Sequence, residues 1–250
     1  MHQQIDEADE LPEGTIAHAP VLTVRPATGQ TLGVVLVLHG GRAKGYQRVR
    51  AMHLSPSRMI PFARLIHRQG AQSGMAVWSL RNRVRGWNGA ERTPMQDARW
   101  ALRKIKEAHP GLPIYLVGHS MGGSVALGVA DDPQVDAVVS LAPSVDDNAP
   151  TDVVAGRRVL IMHGGRDRWT SAADSLQYAR RAVGVAREMH YVGLRGVGHF
   201  MFTRLRIWHG LTASFILRAY ADRTGAQLQP EVTAMADRLY AATYELPLVM

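Results

Sequence analysis

The chain has 250 residues, of which 46% are hydrophobic and 20% are charged, and we expect residues 1–250 to form a single domain around one core. It contains no cysteine, which excludes disulfide bonds, thiol catalysis and cysteine-ligated metals. The formal net charge of +8 would suit a polyanionic partner, but no recognisable nucleic-acid-binding module occurs, so we expect no nucleic acid.

Hydropathy along the chain predicts a cytoplasmic protein. No apolar run approaches the roughly 18 residues that a membrane span requires. The segment 1–14 is polar and acidic, and it lacks the basic and apolar regions of a secretory signal.

Apolar runs of strand length alternate with helical patterns. The predicted strands are 16–24, 33–38, 75–80, 113–117, 135–141, 159–162 and 189–192. The predicted helices are 57–69, 93–108, one after Gly123, 171–183 and about 200–220. This alternation predicts an α/β fold with a mostly parallel sheet of about seven strands and helices on both faces. We expect residues 226–250 to form a helix and an apolar tail docked on the domain, with a homodimer contact as the alternative.

The pentapeptide Gly118-His119-Ser120-Met121-Gly122 lies between a predicted strand and a predicted helix. A nucleophilic serine on such a sharp turn needs small residues two positions before and after it, because the backbones approach closely. Gly118 and Gly122 meet that need. This context, more than the pentapeptide itself, identifies Ser120 as a candidate nucleophile.

A serine hydroxyl needs a positioned base, and the base needs a carboxylate that fixes its tautomer. Asp167 follows one predicted strand, and His199 follows the last one. Because the carboxyl ends of parallel strands meet at one edge of the sheet, we expect both residues near Ser120. Asp146 and Asp147, after the preceding strand, are alternative acids.

These motifs together resemble the α/β-hydrolase superfamily, over roughly residues 15–220. The resemblance implies an α/β-hydrolase fold with Ser120 as nucleophile, Asp167 as acid and His199 as base, in the chain order that this fold requires.

The tripeptide His39-Gly40-Gly41 after strand 33–38 is similar to the oxyanion loop of that family. By this match, the backbone N–H groups of Gly41 and Met121 form the oxyanion hole.

Other histidines have less direct interpretations. His119 is interpreted as a structural residue of the turn, and His163, which opens a second His-Gly-Gly, as a packing or rim residue. No metal-ligand spacing and no nucleotide-binding motif occurs, so we expect neither a metal nor a cofactor.

The interval 143–157, where related proteins insert a lid, is too short for a lid domain. We therefore expect a minimal cap and an open pocket, as in small esterases and in members similar to dienelactone hydrolases or serine aminopeptidases. The loops 42–56 and 81–92 are rich in arginine and should form the pocket rim. The candidate rim residues are Arg42, Arg81, Arg83 and Trp169.

The predicted function is a serine carboxylesterase that acts on small esters, and the rim arginines add the hypothesis of an anionic substrate. The alternatives are an acyltransferase, a thioesterase or a peptidase with the same triad, or a non-catalytic ligand-binding protein on the same scaffold.

Overall fold

The computed structural model describes residues 3–6, 18–146, 148–241 and 246–250. Within these ranges, nine strands form one sheet, in the order β1-β2-β4-β3-β5-β6-β7-β8-β9. The strands are β1 (Gln3–Asp6), β2 (Val21–Arg25), β3 (Gly33–Leu38), β4 (Met75–Arg81), β5 (Ile114–His119), β6 (Val135–Leu141), β7 (Arg158–Gly164), β8 (Glu188–Leu194) and β9 (Leu248–Val249). The helices are α1 (Leu54–Gly70), α2 (Thr93–Ala108), α3 (Met121–Gly128), α4 (Ala172–Ala182), α5 (Leu205–Thr224) and α6 (Pro230–Ala241).

The expected mostly parallel sheet is confirmed. All pairings from β4 to β9 in the sheet order are parallel. At the other edge, β1 pairs antiparallel with β2, and β2 pairs antiparallel with β4. Two short edge strands raise the count above the expected seven. β1 comes from the polar segment 1–14, and β9 is two residues long, so neither has a hydrophobic pattern of its own to predict it.

The sheet separates two apolar cores. Helices α2, α3 and α4 pack on one face, with residues such as Leu102 and Tyr178, and α1 and α5 pack on the other, with residues such as Phe62 and Phe215. The central strands β3 and β5 are buried at every position, as expected for strands covered on both faces. Because β3 and β5 are packed on both faces, their carboxyl ends, where the candidate site lies, are held in fixed positions.

The C-terminal helix α6 lies against α5. The backbone N–H of Ala236 donates to Ser214 Oγ, and the ring of Tyr240 stacks on Phe215 with centroids 6.0 Å apart.

The interpretation of Arg83 as a rim residue is wrong. Its side chain is buried, and its Nε lies 2.5 Å from Oδ1 of Asp97, which is fully buried on α2. The Arg83 backbone N–H donates to the other carboxylate oxygen at 2.8 Å. This pair therefore connects the loop after β4 to α2. The Arg83 guanidinium is bound to Asp97 inside the protein and does not face a pocket rim.

We expect the variant Asp97→Asn to lower the free energy of unfolding by about 3–5 kcal/mol, because it leaves the buried Arg83 cation without a compensating charge. Urea unfolding followed by circular dichroism measures the loss. The matched control is Glu107→Gln in the exposed Lys104–Glu107 pair of the same helix, where the loss should stay below about 1 kcal/mol. Equal losses in the two variants would contradict a stabilising role for the buried pair.

Candidate active site

Ser120 lies on a sharp turn between β5 and α3, with φ 56° and ψ −125°. A Cβ on Gly118 would lie 2.0 Å from the carbonyl oxygen of Gly122, and a Cβ on Gly122 would lie 2.6 Å from that of His39. Both contacts are too short for any side chain. The two glycines therefore permit the turn that presents the serine hydroxyl at the edge of the sheet.

The structure brings the three predicted catalytic residues together at the carboxyl ends of β5, β7 and β8. Ser120 Oγ lies 3.0 Å from His199 Nε2, and His199 Nδ1 lies 2.7 Å from Asp167 Oδ2. The alternative acid Asp146 instead accepts a hydrogen bond from the Asn148 backbone N–H, and Asp147 lies outside the described residues. A serine hydroxyl, an imidazole and a carboxylate therefore form one continuous line of hydrogen-bond contacts.

The carboxylate of Asp167 is fully buried and accepts hydrogen bonds at both oxygens. The backbone N–H groups of Trp169 and Thr170 donate to Oδ1, and the Thr170 hydroxyl donates to Oδ2. Burial alone would raise the pKa of Asp167, but hydrogen bonds from His163, His199 and these backbone groups hold it well below its usual range. The carboxylate is therefore ionised and fixed in place.

His163 contacts this carboxylate as well, which sequence reasoning missed when it assigned the residue to packing or rim. The ring is buried, its Nε2 lies 3.3 Å from Asp167 Oδ2, and its Nδ1 lies 2.7 Å from Ser175 Oγ. Thr170 was also missed, although its position three residues after Asp167 is typical of a side chain that caps a turn.

Two further buried histidines support the site through backbone groups. His119 Nε2 lies 3.0 Å from the carbonyl oxygen of His199 and donates to it. His39 Nε2 accepts from the Asn82 backbone N–H at 3.0 Å, so the proton of His39 is on Nδ1, which donates to the carbonyl oxygen of Gly40 at 2.6 Å. Burial lowers the pKa of His119 to about 3 and that of His39 to about 4, so both are neutral.

The two residues predicted to supply the oxyanion donors are in contact through the Met121 side chain. A Cβ on Gly41 would lie 2.4 Å from the side-chain methyl carbon of Met121, so the two residues are neighbours. Within the described residues, neither backbone N–H has a hydrogen-bond acceptor. The bond from His39 to the Gly40 carbonyl fixes the Gly40–Gly41 peptide, whose N–H points away from that carbonyl. Both N–H groups are therefore available for a ligand oxygen.

Comparisons with known proteins identify the fold. The family model described as serine aminopeptidase, S33, matches residues 80–158, which include Ser120. A solved structure of an esterase from Thermogutta terrifontis, phosphorylated by paraoxon, is 15% identical, with 90% of this chain and 96% of that chain covered and a TM-score of 0.67. The chain has the α/β-hydrolase fold.

Two other α/β-hydrolase structures are similar over most of their length. A serine hydrolase homologue from Coxiella burnetii is 17% identical, with 84% of this chain and 95% of that chain covered and a TM-score of 0.61. A lidless serine hydrolase from Xanthomonas campestris is 14% identical, with 97% of each chain covered and a TM-score of 0.57. No curated protein is significantly similar in sequence. The expected fold and the expected resemblance to serine hydrolases are confirmed.

Aromatic side chains lie on one side of the candidate site. Trp169 is 74% exposed and stacks on His199 with ring centroids 6.2 Å apart and an interplanar angle of 22°. Phe200 contacts Trp169, and the exposed Phe202 lies beside Phe200. The predicted helix over 200–220 begins only at Leu205, so Phe200 and Phe202 belong to a loop next to His199.

The other two predicted rim residues lie after β3 and at the end of β4. Arg42 is exposed, and its backbone N–H donates to the carbonyl oxygen of Arg85 at 2.8 Å. Arg81 is half-buried and donates from Nη1 to the carbonyl oxygen of Val49 at 3.1 Å. Between β6 and β7, the described residues form one short 3₁₀ turn, Asp152–Val154, so no lid covers the site there. No helix in the described part of the chain is long and apolar enough to cross a membrane.

The buried neutral histidines make stability depend on pH. The unfolded chain binds protons at His39 and His119 below about pH 6.5, whereas the folded protein does not bind them until about pH 4 and 3. Since the unfolded state then binds more protons, each residue lowers the free energy of unfolding by about 1.4 kcal/mol per pH unit as the pH falls through this window.

In the variant His119→Gln, a side-chain amide can still donate to the His199 carbonyl but does not titrate. We expect the slope of the unfolding free energy between about pH 6 and pH 4 to fall by about 1.4 kcal/mol per unit relative to the wild type. Urea unfolding at several pH values measures it, with His67→Gln at an exposed helix position as the control. An unchanged slope would show that the pKa of His119 is not lowered in the folded protein.

Proposed function

We propose that the protein is a serine hydrolase that cleaves small carboxylic esters through Ser120, His199 and Asp167. The observation that carries this proposal is the continuous chain of short contacts, 3.0 Å from Ser120 Oγ to His199 Nε2 and 2.7 Å from His199 Nδ1 to Asp167 Oδ2. Hydrolase activity agrees with the family match and with the esterases among the structural neighbours.

In the first half of the proposed reaction, Ser120 Oγ attacks the ester carbonyl carbon while its proton passes to His199 Nε2. The carbonyl oxygen becomes an oxyanion that accepts hydrogen bonds from the N–H groups of Gly41 and Met121. Asp167, which stays ionised, stabilises the imidazolium. The bond to the alcohol oxygen then breaks, and the alcohol leaves with the proton from His199.

In the second half, a water molecule attacks the acyl carbon, and one of its protons passes to His199. The acyl–serine bond breaks, Ser120 Oγ takes the proton back, and the carboxylic acid leaves. One ester and one water give one acid and one alcohol, so this chemistry requires no metal and no cofactor.

The substrate is proposed to be small. No lid covers the site between β6 and β7, and the exposed rings of Trp169 and Phe202 offer an aromatic surface beside His199 for an acyl or aryl group. A cytoplasmic location, a single domain and assembly as a homodimer are further proposals.

The test is a panel of p-nitrophenyl esters of increasing acyl length, run beside an aminoacyl anilide and an acyl-CoA. We expect turnover of the short esters and labelling of Ser120 by a fluorophosphonate probe, mapped by mass spectrometry. Complete inertness toward every substrate and toward the probe would overturn the proposal in favour of a ligand-binding protein.

A peptidase is the second candidate, because the matching family model is that of serine aminopeptidases. The triad sets the chemistry at the acyl carbon but does not choose the leaving group. A kcat/KM for the aminoacyl anilide above that of every ester would favour the peptidase. Preference for the acyl-CoA would favour a thioesterase, and transfer to added alcohols or amines an acyltransferase.

A further inference from the structure

A pocket of about 890 Å³ lies between the loops that follow β3 and β4. Six basic side chains line it, and among the described residues of the chain no aspartate or glutamate does so. The six are His18, Arg48, Arg50, His53, Arg81 and Arg85. We call it the basic pocket.

The positive charge in the basic pocket is largely uncompensated. In residues 18–146, 148–241 and the short described ends, Arg48, Arg50 and Arg85 form no ion pair, whereas Arg99, Arg158 and Arg218 elsewhere each pair with a carboxylate. Desolvation, together with the charges of Arg85, Arg50 and Arg42, lowers the pKa of His53. These groups therefore repel one another, and a bound anion would relieve that repulsion.

The backbone under the basic pocket is held in place. The Arg85 N–H donates to the Gln47 carbonyl oxygen at 3.1 Å, and the Gly86 N–H donates to the Gly45 carbonyl oxygen at 2.8 Å. Backbone hydrogen bonds therefore join the two loops. The buried pair of Arg83 with Asp97 ties the same segment to α2. Because the backbone is held in place, a ligand would have to order only the arginine side chains and not the loops that carry them.

The basic pocket adjoins the oxyanion loop. A Cβ on Gly41 would lie 2.6 Å from the carbonyl oxygen of Arg85, so the two backbones are in contact. Asn82, next to Arg81 in the chain, donates its N–H to His39, the residue that fixes the Gly40–Gly41 peptide. The backbone of one pocket residue, Arg85, is therefore in contact with the loop at which the ester carbonyl is proposed to bind.

We propose that the basic pocket binds a carboxylate or phosphate group carried by the ester, so that the preferred substrates are anionic. This inference rests on the proposed esterase function. Guanidinium groups suit the ligand because their paired N–H donors match the oxygens of carboxylates and phosphates. The binding site is formed by Arg50 and Arg85 rather than by the structurally committed Arg83.

The test compares kcat/KM for phenyl acetate, 4-acetoxybenzoate and 4-acetoxyphenyl phosphate, which share an acetyl group and differ in the charge of the alcohol. We expect the wild type to prefer one or both anionic esters, and the more strongly preferred one identifies the anion as carboxylate or phosphate. The ratio of anionic to neutral kcat/KM should fall about five-fold in Arg50→Gln and in Arg85→Gln. Added NaCl should reduce the same ratio.

The matched control is Arg180→Gln, which removes one exposed positive charge from α4, away from the basic pocket, and should leave the ratio at the wild-type value. An equal ratio in the wild type and both pocket variants, with all esters cleaved, would overturn this inference while the esterase function stands. If no ester is cleaved, the esterase function fails instead.

A binding measurement keeps the inference testable in that case. Calorimetric titration of the Ser120→Ala variant with 4-acetoxybenzoate and 4-acetoxyphenyl phosphate should give a Kd that rises about five-fold when Arg50→Gln is added. A Kd unaffected by Arg50→Gln and by Arg85→Gln would overturn the inference.

Discussion

The variant Ser120→Ala should lose ester hydrolysis by about 10⁶-fold in kcat, and it should lose fluorophosphonate labelling entirely. Alanine removes the hydroxyl that lies 3.0 Å from His199 Nε2 but keeps the Cβ, so the backbone at φ 56° has the same steric surroundings. The unfolding free energy should therefore stay within about 1 kcal/mol of the wild type.

The neighbouring Ser124 provides a matched control for that variant. Its hydroxyl donates to the Ser144 carbonyl oxygen at 2.7 Å, within the loop after β6, and does not contact His199. Ser124→Ala should thus retain the label. A probe adduct on any other residue of Ser120→Ala would refute the assignment of Ser120 as nucleophile.

The variant Asp167→Asn should lower kcat by about 10⁴-fold at neutral pH with the fold intact. The Trp169 and Thr170 N–H groups require an acceptor, so the asparagine oxygen should take the position of Oδ1. Its amide nitrogen would then replace Oδ2 and donate to His199 Nδ1. That donation puts the proton of His199 on Nε2, where it can no longer accept the proton of Ser120.

The loss in the Asp167→Asn variant is measured as kcat at several pH values and as the rate at which a fluorophosphonate probe labels Ser120. Asp146→Asn, which changes the alternative acid in the same way, should leave kcat close to the wild-type value, because Asp146 bonds to the backbone of Asn148. Equal losses in the two variants would contradict the assignment of Asp167. A loss below about ten-fold in Asp167→Asn would show that Thr170, whose hydroxyl lies 3.2 Å from His199 Nδ1, orients His199 without the carboxylate.

Local chemistry made the central features predictable. The turn at Ser120 needs glycine at positions 118 and 122 for reasons that act within five residues, and a strand of six buried apolar residues such as β3 is evident from composition alone. The positions of Asp167 and His199 followed from the rule that parallel strands end at one edge.

Features that depend on distant partners were not predictable. Arg83 was predicted to be an exposed loop residue, because the sequence around it does not indicate that its partner Asp97 is fully buried on the next helix. The interactions of His163 with Asp167 and Ser175 depend on how α4 packs on β7. The strands β1 and β9 form by pairing with an existing sheet edge, which a single segment does not reveal.

The backbone conformation of Ser120 lowers the stability of the folded protein at the residue that is proposed to be the nucleophile. A non-glycine residue held at φ 56° costs about 1–3 kcal/mol, and glycine would adopt this conformation without that strain. Laboratory evolution that rewards heat resistance alone should therefore favour Ser120→Gly and discard the hydroxyl. Screens for variants with higher thermal stability should therefore also measure catalytic activity, since the most strained residue of the turn is the one proposed to react.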